Sequence, residues 1–320
     1  MKNVFLVLCI FVIFISCKQE HQFEEEISKI EMTIAIERFD LAFAHARPNE
    51  LSKLKEAFPF MFSKKYADSF WIKKMNDTLQ LELNREVEKV YPKLNNEEGD
   101  IQSLFQHLKY YFPEFKKPRV VSATSFVDYR NKVIVTDSIV LIAIDTYLGS
   151  EHHFYNGIQK YLRANFNSDQ IVVDLASEYA KGYIFPKQNK TLLDEMIYFG
   201  KQLYFKDLMI PFKTDAEKIG YTQQQLDWSK ANETQIWSFL VEKELLFSTD
   251  SKLLNRFINP APFSKFQLEE IDKESPGRIG QYMGWQIVKA FMQNNDVSLK
   301  KMLSSNAEEI FNESKFKPEL

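Results

Sequence analysis

Cys17 is the residue whose surroundings specify a covalent reaction most directly. Met1-Lys2-Asn3 supplies one positive charge, Val4 to Ile15 is an unbroken apolar run, and Phe14-Ile15-Ser16 leads into Cys17. A positive start, a short apolar stretch and a small residue at the cut describe a secretory signal, and a cysteine straight after the cut matches a lipobox. The chemistry expected is lipidation of Cys17, which becomes the new first residue once residues 1–16 are removed. The apolar run is shorter than the roughly 20 residues that cross a bilayer. Acyl chains would hold the protein to a membrane instead, each buried methylene adding about 0.8 kcal/mol. Phe14 stands where a lipobox usually has leucine. The competing reading is an ordinary secreted protein with a chance cysteine.

The remaining reactive side chains are sparse. Cys9 leaves with the signal and Cys17 takes the lipid, so disulfides, thiol nucleophiles and cysteine metal sites are excluded from the mature body. Five histidines are present: His21, His45, His107, His152 and His153. None lies in His-Glu-x-x-His, and the chain has neither a glycine-rich phosphate loop nor a Gly-x-Ser-x-Gly elbow. Glu151-His152-His153 offers metal-ligand types, but neighbouring residues on one element point apart and no third ligand is apparent. The expectation is therefore no catalytic residue, no metal and no cofactor beyond the covalent lipid.

Two segments have unusual content for helices. In the first, Leu193, Ile197, Gly200, Tyr204 and Leu208 form one stripe, with Asp194, Tyr198, Lys201 and Gln202 opposite. Gly200 inside a helix costs about 1 kcal/mol against alanine, so something must approach closely there. The second runs from Ser275 to Val288 and places Gly280 and Gly284 one turn apart. A membrane pair of the GxxxG type is disfavoured by Arg278 and Lys289, which flank too short a run. Small residues at helical spacing serve close packing of two helices. The functional alternative is a groove lined by Glu195, Tyr198, Lys201, Glu242, Arg278 and Tyr282, able to hold a partner segment.

The elements that must position these residues follow from periodicity. Residues 18–28 read as a linker, giving residues 17–28 as a lipidated tether and 29–320 as one domain. Ile30 to Phe39 alternates as a strand, and residues 49–58, 67–91 and Ile101 to Phe112 read as helices. Arg119 to Thr124, Asn131 to Val135 and Ser138 to Ile144 are rich in valine and isoleucine and read as a small sheet, with Asp145 ending the last run. From Asn156 on, helices are predicted over Ile171–Tyr183, Leu192–Ile210, Asn232–Phe247 and Arg278–Met292. Asn232 with Gln235 reads as a capping box, and Ser275-Pro276 as a cap followed by proline at the first helical position. Strands and helices segregate along the chain, which favours a predominantly helical α+β fold. The 28 Phe and 14 Tyr supply core material, while 9 Gly and 11 Pro speak against disorder. Loss of Lys2 takes the formal net charge from −3 to −4, so no nucleic-acid partner is expected.

A resemblance adds to this reading. The lipoprotein start, Ile142-Ala143-Ile144-Asp145-Thr146-Tyr147-Leu148-Gly149, Met196 to Phe205, Lys218-Ile219-Gly220-Tyr221-Thr222 and Ser275 to Val288 together resemble the gliding-motility lipoprotein GldB family of Bacteroidetes. The resemblance implies a cell-envelope lipoprotein required for gliding, with other gliding and type IX secretion proteins as partners. Lys18 after the cysteine gives no clear inner-membrane signal, so the outer membrane is expected rather than the inner. Glu24-Glu25-Glu26 reads as a solvated tether, or as part of the surface-export address some lipoproteins of that phylum carry. The family is distantly similar to predicted zinc peptidases with a helical His-Glu-x-x-His. Here Tyr198-Phe199-Gly200-Lys201-Gln202 occupies that place, and the cation Lys201 would repel zinc. A degenerate zincin-like scaffold without its metal is implied. Two rival functions stay open: a zincin-like peptidase, and an envelope module that binds peptide or glycan.

Overall fold

The computed structural model describes residues 23–187, 189–268 and 271–318. Residues 1–22, and with them the signal and Cys17, lie outside the described residues. Besides single helical turns such as Lys160–Arg163 and Ile271–Glu274, the main elements in chain order are β1 (Ile36–Arg38), α1 (Phe39–His45), α2 (Leu51–Ala57), α3 (Asp68–Met75), α4 (Thr78–Val90), α5 (Asn95–Tyr111), β2 (Arg119–Ala123), β3 (Val133–Val135), β4 (Ile139–Ala143), α6 (Asp169–Tyr183), α7 (Leu192–Met209), α8 (Asp215–Ile219), α9 (Gln223–Ala231), α10 (Glu233–Glu242), α11 (Lys252–Phe257), α12 (Ile279–Asn294), α13 (Leu299–Ser304) and α14 (Ala307–Ser314). The fold is the predominantly helical α+β expected, with one small mixed sheet.

The sheet order is β1-β2-β4-β3. β1 and β4 each run parallel to β2, with Ile36 opposite Val120 and Arg119 opposite Ile139. β3 is antiparallel to β4, Val133 facing Ile142. Strand periodicity sends alternate side chains to opposite faces. Val120, Val140 and Ile142 enter the large core with α5, α6, α7 and α12. Val121 and Ala123 enter a smaller core with Phe39, Phe43, Leu51, Leu54, Phe62, Trp71 and Met75. Both faces of the sheet are therefore covered, the second by α1–α3. This accounts for strands that read as near-continuous apolar runs.

Several expected boundaries move, each for a local reason. The strand predicted from Ile30 shrinks to Ile36–Arg38, because α5 takes up the backbone before it. Gln106 Nε2 donates to Ile30 O at 2.9 Å, and the Ile36 N–H donates to Glu98 Oε1 at 2.9 Å. The helix predicted over 67–91 breaks in two where Asp77 accepts from the Gln80 N–H at 2.9 Å and starts α4. Asn232 forms no capping box, since its amide donates to Trp228 O at 2.8 Å. The helix after it ends at Glu242, and Glu244 turns the chain left-handed at φ 53°. Ser275 does not cap α12 either. Its hydroxyl donates to Ser264 O at 2.7 Å, and Arg278, at φ 64°, begins the helix.

The glycine stripes do pack one helix on another. A Cβ on Gly200 of α7 would lie 2.3 Å from Gly284 O of α12, and one on Gly284 would lie 1.8 Å from Met196 O. The two backbones touch, and only hydrogen at both α-carbons permits it. Trp285 Nε1 donates to Asp207 Oδ2 at 2.7 Å across the same crossing, with Lys289 Nζ 3.8 Å from the Trp285 ring centre.

Candidate functional site

Three of the segments singled out in the sequence meet around one cavity of about 510 Å³. α6 contributes Gln170, Val173 and Asp174 to its wall, and α7 contributes Phe199, Gln202, Leu203 and Lys206. The turn at 218–222, the loop at 258–262, and Arg278 and Gln281 close it, with Lys132 entering from the sheet side. Phe199, Gln202, Leu203 and Lys206 follow steps of three and one, which places them on one face of a helix.

The local folding is set by αL positions. Gly220 ends α8 at φ 70°, and its carbonyl accepts from Asn165 Nδ2 at 3.0 Å and Arg278 Nη2 at 2.9 Å. A Cβ at Gly220 would lie 2.5 Å from Asn165 Nδ2, so the turn needs glycine for both reasons. Tyr221 Oη donates to Gly277 O at 2.6 Å, and the Arg278 guanidinium lies 5.3 Å from the Tyr221 ring centre. Arg278 itself has φ 64°, a conformation that costs a non-glycine residue about 1 kcal/mol or more. Gln281 Nε2 donates to Ile258 O at 2.8 Å and pins the 258–262 loop.

Positive charge collects in this space. Lys206 is buried and its ammonium donates to Lys218 O at 2.8 Å. Burial pulls its pKa down to about 7; the Asp174 carboxylate opposes the shift, and the Arg278 and Lys132 cations add to it. Burial lowers the pKa of Arg278 as well. Asp174 pairs with Lys132 and accepts from Tyr147 Oη at 2.8 Å. The cavity can thus hold and orient an anion. Its two carboxylates are already engaged, Asp174 by Lys132 and Tyr147 and Glu178 by Lys181.

The six residues expected to form a groove are distributed instead. Arg278 lines the large cavity. Lys201 is buried and donates to Leu303 O at 3.0 Å and to Ser305 O at 2.5 Å, so it caps the C-terminal end of α13. Burial brings its pKa to about 8. Tyr198 lines a crevice beside Lys201, its ring centre 4.8 Å from Lys187 Nζ. Glu195 is ion-paired to that same Lys187 at 2.7 Å, in the first turn of α7. Tyr282 Oη donates to Glu233 Oε2 at 2.8 Å and borders a separate cavity of about 310 Å³. Glu242 is exposed at the last turn of α10. The assumption that failed is one common face: α7 has neighbours on every side, so its polar residues serve different ones. Gln202, placed by the sequence on the polar side of this helix, lines the cavity, together with Lys206, Asp174 and Lys132, which the sequence pattern does not single out. Gln202 and Lys206 carry a detectable signal, being polar residues four apart on one face of a helix that is buried along most of its length.

A metal has one place to consider among the described residues. Glu86, His152 and His153 bring one ligand atom each within 4.8 Å of one another. The two imidazoles do not diverge as expected, because the turn at 153–155 stacks their rings 4.5 Å apart. Glu86 is the third group the sequence concealed, lying 66 residues before His152. The Phe154 N–H donates to His152 Nδ1 at 3.3 Å. In the neutral ring this leaves the proton on Nε2, which donates to Glu86 Oε2 at 3.1 Å. A metal would need the Nε2 lone pair, so the hydrogen bonds favour a clip between α4 and the turn.

At the positions of the zinc ligands in the His-Glu-x-x-His motif stand Tyr198, which faces the Lys201 crevice, and Gln202, which faces the large cavity; Phe199, at the place of the motif's glutamate, faces the cavity too. No curated protein and no solved structure matches the chain. The family described as "Gliding motility protein GldB" matches residues 20–318, which take in every described residue. The chain belongs to the GldB family of gliding motility proteins.

Proposed function

We propose that this protein is a lipoprotein of the cell envelope, anchored through acylated Cys17 on the outer membrane, that serves gliding motility beside the type IX secretion machinery. It works by holding other envelope proteins and makes or breaks no bonds. The observation that carries the reading is the family match over residues 20–318, which begins just after the lipobox. Among the described residues, no helix is long and apolar enough to cross a membrane, which agrees with anchoring by lipid. Three of the segments that resemble the family meet at a cavity whose lining includes Lys132, Lys206, Arg278 and the amides of Gln202 and Gln281. Such a lining suits recognition of an anionic group on a partner.

Metabolic labelling with a palmitate analogue tests the anchor. The wild-type chain should take the label and Cys17→Ser should not. Deleting the gene in a gliding species should abolish colony spreading, and Cys17→Ser should fail to restore it. Normal spreading and secretion in the deletion strain would defeat the proposal. Stoichiometric zinc in the purified protein would favour the peptidase rival.

A further inference from the structure

The large cavity contains more positive charge than its two carboxylates answer, and Glu178 is taken by Lys181. Asp174 is occupied by Lys132 and by the Tyr147 hydroxyl. Lys206 and Arg278 remain. Among the described residues their hydrogen-bond partners are main-chain carbonyls, Lys218 O and Gly220 O. A carbonyl dipole solvates a cation without neutralising it, and buried charges are ordinarily paired with opposite charge. Two cations therefore border one space without a carboxylate of their own.

Gln202 is a second and independent observation. The residue is 6% exposed, lines the same cavity, and its Nε2 has no hydrogen-bond partner. It stands one helical turn before Lys206 on α7. Buried amide donors are nearly always satisfied, so an orphan one marks a place for an acceptor. The unmet groups of this cavity are thus all donors or cations, and their complement is an oxyanion.

Size and lining narrow the class. About 510 Å³ is in the range of sites for small organic ligands and far exceeds a bare anion. Between the polar groups the wall is apolar and aromatic, through Val173, Phe199, Leu203 and Ile258. A short stretch of polypeptide with an acidic side chain satisfies both halves of that lining.

We propose that this cavity binds an acidic segment of a partner polypeptide, its carboxylate held by Arg278 and Lys206 with Gln202 donating to it. The proposal rests on the reading that the protein acts through protein contacts, and it supplies the chemistry of one such contact. Arg278 presents a planar fork that matches a carboxylate, while Lys206 supplies a point charge in the same cavity.

The test uses the full chain in detergent and a fluorescent pool of blocked pentapeptides with glutamate fixed at the centre and random flanks. A matched pool carries glutamine at the centre. Saturable anisotropy is expected with the glutamate pool, at least tenfold tighter than with the glutamine pool. Gln202→Leu removes only an unpartnered amide from the fold, and it should weaken binding tenfold while leaving circular dichroism unchanged. Lys206→Met should do the same. Inorganic phosphate at equal concentration should not displace the pool. Equal binding of the two pools, or none, overturns the proposal, as does full displacement by phosphate, which would make this a general oxyanion site. The outcome is separable from the function proposed above. Loss of peptide binding in Gln202→Leu with normal gliding would sink the motility role of the cavity and leave the ligand assignment standing. A deletion strain that fails to glide, beside a protein blind to the glutamate pool, would do the reverse.

Discussion

Lys206 shows how one side chain couples the cavity to stability. Its pKa in the fold is about 7, pulled down chiefly by burial, against an ordinary lysine value above 10 once unfolded. Between those two values the unfolded chain holds a proton that the native chain lacks. Native stability therefore rises with pH across that window, by about 1.4 kcal/mol per unit for this group alone. Below pH 7 both states are protonated and the group adds no slope. Lys201, brought to about 8 by its own burial, adds a similar rise that begins one unit later. Urea midpoints measured from pH 6 to 9.5 should climb in the wild type, and Lys206→Met should remove its share of the climb above pH 7. The substitution also leaves Lys218 O without its ammonium donor, a loss of about 1–3 kcal/mol that does not vary with pH. An unchanged slope in the variant would mean that Lys206 is solvated in the folded protein. The Glu195–Lys187 pair makes a contrast. It sits at the outer edge of α7 with the lysine one-third exposed, and exposed pairs are worth about 0–1 kcal/mol. Glu195→Gln is expected to shift the thermal midpoint by no more than a degree or two.

Among the elements, the crossing of α7 and α12 carries the most specific constraint. Gly284 meets Met196 O and Gly200 meets Gly284 O, both main-chain atoms that cannot rotate aside. Gly284→Ala must push the helices apart along a contact that also holds Trp285 to Asp207. Overpacking of this kind costs about 1–3 kcal/mol and sometimes more, and the upper end is expected because backbone is what must move. Calorimetry should give a lower midpoint for Gly284→Ala, whereas Gly182→Ala, in helix α6 with nothing within 4 Å of its Cβ, should raise the midpoint by adding up to about 1 kcal/mol of stability. The need for close approach at this crossing was legible from glycines at helical spacing. So were α6, α7, α12 and the three strands after residue 118, because long periodic runs and valine-rich stretches state their type locally. The failures lie where one side chain outweighs periodicity. Asp77 splits a helix by capping it, Arg278 starts one by going left-handed, and Gln106 with Glu98 claims a would-be strand. The site was half legible. Arg278 stood out by its motif, but Asp174 and Lys132 acquire meaning only once the sheet and α6 meet, which no local pattern states.

At the scale of the whole molecule, the sheet divides the apolar interior in two and thereby ties both halves of the chain together. β2 and β4 feed alternate side chains to each side, so the smaller cluster around Phe39, Phe62 and Trp71 shares its strands with the large core around Trp285. The sheet also supports the cavity: Lys132 leads into β3, and its partner Asp174 belongs to α6. Shared strands should make the two clusters unfold together, because neither face of a two-sided sheet is stable with the other in water. Trp71 and Trp285 report the two clusters separately, at 9% and 0% exposure. Variants keeping one of them, with the other three tryptophans changed to phenylalanine, should each give a fluorescence transition that coincides with their own circular dichroism. A Trp71 transition that precedes the loss of helix would divide the chain into two units. The α1–α3 layer would then be a separate module docked on the sheet, and residues 29–320 would no longer count as one domain. Coincident transitions would place the cavity inside a single cooperative body, where a ligand seated between α6 and α7 must raise the midpoint seen by Trp71, on the far side of the sheet, as much as that seen by Trp285.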